Sequence, residues 1–396
     1  MAQHFDYIVA GAGAAGLSLL HHLERAGLSD RRVLLLDRAP KTRNDRTWCF
    51  WEAGEGPFEP IIFRRWGRLA FHAPGFSHTF GIAPYAYKML RGLDFYRHMD
   101  ERLARWPRLT RLYGELEAVG DGFVRLEGQT YTADWVFSSV LSEPLAPRPP
   151  YHYLLQHFRG WVIEAPHPAF DPAVATFMDF RIEQQGEVRF VYVLPFDERR
   201  ALVEYTLFSA QLLSEAEYEQ GLRAYVGERL GLAEYRVLET EAGVIPMTDA
   251  PFPTRIGERT LRIGTAGGQT KASTGYTFQR IQRQCRHIAQ SLAQGRDPTP
   301  LTSPARFAFY DSVLLNVFAK KRYAGARAFS DLFQRRPAPQ VLKFLDESTA
   351  LLEELPILFS MNVPAFTLAA LDVLAAEGRR QLSALSAQRS ALSRKR

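Results

Sequence analysis

Cysteine is nearly absent: Cys49 and Cys285 are the only two in 396 residues, and their spacing is unrelated. Two isolated thiols build neither a disulfide framework nor a zinc site, which points to a reducing compartment. The ten histidines show no His-Glu-x-x-His or other ligand spacing, so no metal centre is expected. Also missing is any apolar run of roughly 20 residues, the length a bilayer-crossing helix needs. The Leu-rich stretch 350–376 is broken by Glu353, Glu354, Pro356, Pro364 and Asp372. The first residues have no basic leader, and Asp6 with three glycines interrupts their apolar run, so neither a signal peptide nor an anchor is expected there. Charge of one sign is lacking too: 49 Lys and Arg against 43 Asp and Glu leave +6. Small basic clusters stand at Lys320-Lys321-Arg322, Arg335-Arg336 and Arg394-Lys395-Arg396. They suit an anionic lipid surface or an acidic ligand as well as a plainly solvated face. A nucleic-acid partner is not expected.

What is present begins with a βαβ unit. Phe5 to Ala10 reads as a buried strand, Ala14 to Ala26 as a helix stopped by Gly27, and Arg32 to Leu36 as a second strand ending in Asp37. Strand, helix, strand in that order implies parallel pairing. Between the first strand and the helix lies Gly11-Ala12-Gly13-Ala14-Ala15-Gly16, a complete G-x-G-x-x-G. Gly11 serves the tight turn, Gly13 clears space for a pyrophosphate, and Gly16 lets helix pack on strand, while the helix N-terminus offers free N–H groups. Asp37, followed by Arg38, is placed to hydrogen-bond a ribose hydroxyl. The fingerprint alone does not separate FAD from NAD. FAD is favoured because this is the single fingerprint and a later glycine cluster, Gly264-Thr265-Ala266-Gly267-Gly268, ends a strand (Arg262-Ile263-Gly264) ahead of another helix. That helix, Thr277 to Ala293, carries Phe278, Ile281, Cys285, Ile288 and Leu292 at helical spacing, and its N-terminus, with Thr274 or Gly275 near it, is expected to point at the second half of the cofactor. The alternative is an ordinary turn and a capped helix.

The middle of the chain differs in character. Pro144 to Pro150 reads as a crossing between lobes. Val188 to Leu194 and Ala201 to Phe208, separated by Pro-Phe-Asp-Glu-Arg-Arg, read as an antiparallel hairpin. The expected organisation is a discontinuous cofactor domain (1–145 with 255–300), an antiparallel substrate domain (146–254), and a helical region (301–396) with a frayed end. In the hairpin, Leu202, Glu204, Thr206 and Phe208 share one face, Val203, Tyr205 and Leu207 the other. Both faces are mostly apolar, so Glu204 is expected to be partly buried, its carboxyl raised in pKa and fit for general-acid work. The competing readings are an exposed strand edge and an ion pair with Arg189. Asn44-Asp45-Arg46-Thr47-Trp48-Cys49-Phe50-Trp51 either walls a flat cofactor and a long apolar ligand, with Arg46 near cofactor oxygens, or packs on the sheet. Ser138-Ser139 lack the G-x-S-x-G setting of a nucleophile elbow.

Taken in order, these pieces resemble the bacterial lycopene β-cyclases, FAD-dependent carotenoid enzymes of the para-hydroxybenzoate hydroxylase fold. The matching segments are Asp6 to Gly16, Asn44 to Trp51, Phe190-Val191-Tyr192-x-Leu194-Pro195, Leu202-Val203-Glu204-x-Thr206, Gly243-x-Ile245-Pro246 and Thr274-Gly275-Tyr276, with Phe309-Tyr310-Asp311 further on. The family often has an acidic pair in the Leu-Val-Glu motif, whereas Tyr205 fills the second place here, leaving Glu204 as the sole obvious acid. Thr265 stands where flavin hydroxylases carry the aspartate of Gly-Asp-Ala.

The resemblance implies an α/β fold with a Rossmann-type FAD-binding lobe, an antiparallel-sheet substrate lobe and C-terminal helices. It implies Glu204 as the catalytic acid, and cofactor contacts from Gly11, Gly13, Ala15, Gly16, Asp37, Arg38, Arg46, Thr47, Trp48, Gly264, Gly267 and Gly275. The implied reaction is a non-redox cyclisation of the ψ-ends of lycopene to β-ionone rings, through γ-carotene to β-carotene, with FAD kept reduced and NAD(P)H priming it. A cytoplasmic enzyme resting on the inner face of the cell membrane is expected. A flavin monooxygenase or prenyl-chain reductase on the same scaffold is the alternative.

Overall fold

The fold is taken from a computed structural model that describes residues 3–141, 145–301 and 303–393. Pro144, at the head of the expected crossing, and the basic cluster 394–396 lie outside the described residues.

The first strand is β1 (Gln3–Ala10), followed by α1 (Ala14–Arg25) and β2 (Val33–Asp37). β1 pairs in parallel with β2, and β2 with β8 (Leu109–Tyr113). On its other side β1 pairs in parallel with β11 (Gln129–Ser138). Strands β9 (Leu116–Gly120) and β10 (Phe123–Leu126) extend this sheet antiparallel, and β17 (Thr260–Arg262) returns to pair in parallel with β11. Ile8, Val9, Leu34 and Leu35 are wholly buried, the run of apolar residues that a parallel strand covered on both faces requires. Helix α4 (Phe278–Ala293) packs against α1 through Phe278, Ile281, Cys285 and Ile288, following its expected spacing. The Rossmann lobe therefore joins β17 and α4 to the strands and helix of the first 138 residues.

A second sheet runs in the order β16 (Arg236–Thr248), β12 (Tyr153–Glu164), β15 (Arg200–Ser209), β14 (Val188–Pro195), β13 (Val174–Asp179), β5 (Arg68–Ala73) and β6 (Phe76–Gly81). The expected hairpin is present as β14–β15. Its two faces separate as alternation demands: Val203, Tyr205 and Leu207 meet α3 (Glu215–Ala224) and the turn after it, while Leu202 and Phe208 join the large core under the C-terminal helices. Burying Tyr218, Leu222 and Val226 on the α3 side contributes about 1.5–3 kcal/mol for each large side chain.

One part of the expected organisation differs. Residues 1–145 do not all belong to the first sheet, because β5 and β6 add to the second one. In addition, β3 (Thr47–Ala53), β7 (Tyr85–Arg91) and β4 (Arg64–Trp66) form a small sheet of their own. Helix α2 (Gly92–Leu103) follows directly. The remaining helices are α5 (Ala305–Ala319), α6 (Gly325–Arg335), α7 (Ala338–Leu345), α8 (Leu351–Leu358) and α9 (Val363–Ser393). The end of the chain, expected to fray, is helical through Ser393. Among the described residues no helix is long and apolar enough to cross a membrane.

Candidate active site

A cavity of about 530 Å³ lies between the two sheets. One wall is the glycine-rich turn. Gly11 has φ +101°, and a Cβ there would stand 2.2 Å from Ser139 Oγ; one at Gly16 would stand 2.0 Å from the Gly11 carbonyl oxygen. Neither position tolerates a side chain. At Gly13 a Cβ would meet nothing within 4 Å, so that position opens to the cavity it lines. Helix α1 starts there with no side-chain cap and no acidic residue in its first turn, and α4 starts uncapped from Thr277. Both helix starts line the same cavity, so two sets of free N–H groups and two positive dipole ends face it. Lys41 and Arg46 add positive charge to its lining. This cradle fits a pyrophosphate-bearing dinucleotide.

Of the expected cofactor contacts, Gly13, Ala15, Arg46, Thr47, Trp48, Gly264 and Gly275 line the cavity; Gly11, Gly16, Asp37, Arg38 and Gly267 stand outside its lining. Gly11 and Gly16 shape the turn. Asp37 has accepted the backbone N–H groups of Ala12 and Arg38, each at 2.7 Å, and the Lys41 ammonium at 3.2 Å. It fastens the turn rather than lining the cavity. Arg38 is exposed and 3.8 Å from Glu115. Gly267 is buried where a Cβ would meet the Arg262 carbonyl oxygen at 2.3 Å, which is a packing role.

The segment 44–51 divides between its two readings. It is strapped to the start of α2: Gly92 N–H donates to the Arg46 carbonyl at 2.7 Å, and the Tyr96 hydroxyl to Asp45 at 2.9 Å. Trp48 lines the cavity. Phe50 stacks on Phe278 at 4.8 Å, and Trp51 donates its indole N–H to the Leu342 carbonyl at 3.0 Å; these two are packing residues.

The opposite wall is the inner face of the second sheet. Glu204 on β15 lies in register with Tyr192 on β14 and Gly160 on β12, and Gly160 lies in register with Glu241 on β16. The two glutamates are thus two strands apart, about 10 Å between backbones, yet both line the same cavity and Glu241 is close enough to raise the Glu204 carboxyl. Gly160 permits this, since a Cβ there would crowd the Glu241 side chain and Leu202, each at 3.0 Å. Burial, then the neighbouring Glu241, pushes the Glu204 carboxyl well above its ordinary range, although the Thr206 hydroxyl donates to it at 2.8 Å. Burial raises Glu241 as well, opposed by the Thr47 hydroxyl, which donates to it at 2.7 Å, and by Glu204. Each carboxyl accepts one hydroxyl and burial raises both, so the two titrate as a pair that holds a proton more tightly than either acid would alone. Arg189 pairs with Glu187 at 2.6 Å and not with Glu204.

Glu241 is the acid that sequence reading missed, and Glu204 is not alone. The signal was available: Glu241, Gly243 and Ile245 alternate onto one face of the Gly-x-Ile-Pro strand. Gln156 was also missed. It is buried, its Oε1 has no partner, and a Cβ on Gly275 would meet that atom at 2.1 Å. Around the acids, Tyr87, Tyr192 and Tyr276 line the cavity, and burial raises each hydroxyl above its ordinary pKa. They stay neutral and present aromatic surface.

A Rossmann lobe with a glycine-rich cradle, closed by an antiparallel sheet and C-terminal helices, defines the para-hydroxybenzoate hydroxylase-like flavoprotein fold class. HpxO of Klebsiella pneumoniae, solved in complex with FAD, shares it with a TM-score of 0.57 at 16% identity, over 87% of this chain and 98% of that one. Residues 6–371 match the family described as "Lycopene cyclase protein", and the chain belongs to that family. It is 26% identical over 316 residues to the chloroplastic neoxanthin synthase of Solanum tuberosum, covering 74% of this chain and 62% of that protein. With the lycopene beta-cyclase of Pantoea ananas it shares 26% over 263 residues, covering 63% and 64%. The chain thus spans under two thirds of the length of these relatives.

Proposed function

We propose that the protein is a lycopene β-cyclase that binds FAD in the cradle of Gly13, the α1 and α4 N-termini, Arg46 and Trp48. The observation that carries this reading is the carboxyl pair Glu204–Glu241 on the wall facing that cradle. The chemistry the bound flavin supplies is that of its reduced anionic form, primed by NAD(P)H and kept reduced across turnovers: negative charge beside a developing cation.

The chain's own residues do the rest. Glu204, held protonated, gives its proton to the terminal double bond of a ψ-end. The neighbouring double bond attacks the cation, closing the ring, and a ring proton then leaves to the carboxylate pair. The pair ends with the single proton it started with, and no electrons are exchanged. Tyr192, Tyr276 and Trp48 offer ring faces to the cation and, with Phe158, Leu194 and Leu202, keep out water that would trap it as an alcohol. The neoxanthin synthase relative and the lycopene beta-cyclase relative both support a carotenoid substrate.

We further propose peripheral membrane contact through α8 and α9. Leu352 is 79% exposed and Phe359 68%, with Leu355, Leu368 and Leu371 also exposed nearby, and Arg335 and Arg336 follow at the end of α6. An apolar face with basic neighbours suits the inner surface of an anionic bilayer from the cytoplasm. The deciding assay incubates FAD-loaded protein with lycopene under dithionite in the absence of oxygen. The expected products have unchanged mass and one or two rings. Oxygen uptake, or NAD(P)H consumed in proportion to product, would instead identify a monooxygenase or reductase.

A further inference from the structure

Behind the site lies a second chamber, about 270 Å³, enclosed by α5 to α9. Its lining is strongly apolar and aromatic, including Phe309, Leu314, Phe344, Phe366 and Ala370. Of its lining, Phe359, Val363 and Thr367 are exposed, on the α8–α9 face. One loop, residues 270–277, contributes to the linings of both this chamber and the acid-pair cavity. Lys271 and Ser273 line the chamber, while Thr270, Thr274, Gly275 and Tyr276 line the cavity. The loop is pinned from the chamber side: Lys271 reaches Asp311 at 2.7 Å and Glu347 at 2.8 Å, and the Ser273 hydroxyl donates to Asp311 at 2.6 Å. Burial works to raise the Glu347 carboxyl, but Lys271 and Arg280 outweigh it and hold it down at about 2.

We propose that this chamber is a second hydrocarbon-chain site, which receives a length of the polyene substrate lying outside the acid-pair cavity. The inference rests on the cyclase reading. Three observations carry it. The chamber and that cavity are lined by residues of the same loop. Its phenyl rings suit a flat conjugated chain. Its volume falls below the roughly 300–1,000 Å³ of a complete small-molecule site, so it fits a segment rather than a whole ligand.

The test fills the chamber from α9 with Ala370→Trp and, at an exposed position that spares the core, Thr367→Trp. Anaerobic turnover is measured with lycopene and with a truncated polyene bearing one ψ-end. The expected result is a KM for lycopene raised tenfold or more, with kcat/KM for the short substrate within twofold of the unaltered protein. In parallel, cis-parinaric acid fluorescence reports occupancy without turnover, and lycopene should displace the probe from the unaltered protein but find little bound to the filled variants. Unchanged lycopene KM in a protein that turns lycopene over overturns the chamber and leaves the cyclase reading standing. So does an equal loss on both substrates, or displacement of the probe by phospholipid but not by lycopene. A protein that binds the probe in the chamber yet never cyclises lycopene sinks the reading beneath it.

Discussion

Glu204 shows how a single residue's chemistry depends on its neighbours. Its carboxyl is raised above the ordinary 4.5 first by burial and then by Glu241. A folded-state value above the unfolded one means that the native protein keeps a proton the unfolded chain has lost. Stability contributed by this group is complete below the ordinary value and declines as pH climbs through the raised one. Glu204→Gln should therefore melt higher than the unaltered protein near pH 8, the gap closing toward about pH 4 in thermal scans. The same variant should lose about 10²–10⁴-fold in cyclisation rate while retaining flavin absorbance. Activity requires the protonated acid, so the rate should fall on the alkaline side. Glu241→Gln removes the neighbouring charge, and its alkaline limb should move to lower pH in the rate profile. A limb that stays in place would assign Glu241 a purely structural part.

At the scale of elements, the site is made by a glycine on a central strand. Gly160 lets side chains from β15 and β16 close over β12. Gly160→Ala places a methyl 3.0 Å from the Glu241 stem and from Leu202. Crowding of this kind costs about 1–3 kcal/mol, and displacing the acids by an ångström costs up to about 10²-fold in rate. The expected outcome is a small drop in melting temperature with a much larger drop in turnover, flavin content unchanged. The elements themselves were largely legible. The βαβ unit, the β14–β15 hairpin and α4 sit where glycine placement and apolar periodicity put them, because those signals are local. The small sheet of β3, β4 and β7, and the pairing of β5 and β6 with the second sheet, were not legible. They depend on which edge strand was free to pair, and that is settled by chains far apart in sequence.

For the molecule as a whole, the α8–α9 face joins the proposed lipid surface to the exposed lining of the second chamber. Leu352→Lys and Leu368→Asp replace exposed side chains outside the chamber's lining, so melting temperature should hold within a degree or two. Cosedimentation with phosphatidylglycerol vesicles should fall several-fold, and activity on vesicle-borne lycopene should fall with it, while activity on detergent-dispersed lycopene persists. Undiminished vesicle binding would move the lipid contact elsewhere on the surface.

The sequence by itself determined the glycine-rich turn and the placing of Glu204 on a mostly apolar strand, since both are written in contiguous residues: three glycines at fixed spacing, and an acid among apolar neighbours. Tertiary structure alone decided that Asp37 fastens a backbone turn, that Thr47 bonds an acid, and that Glu241 stands beside Glu204. A hydrogen bond or a shared proton needs atoms within about 3 Å, and only folding brings residues so distant along the chain to that separation.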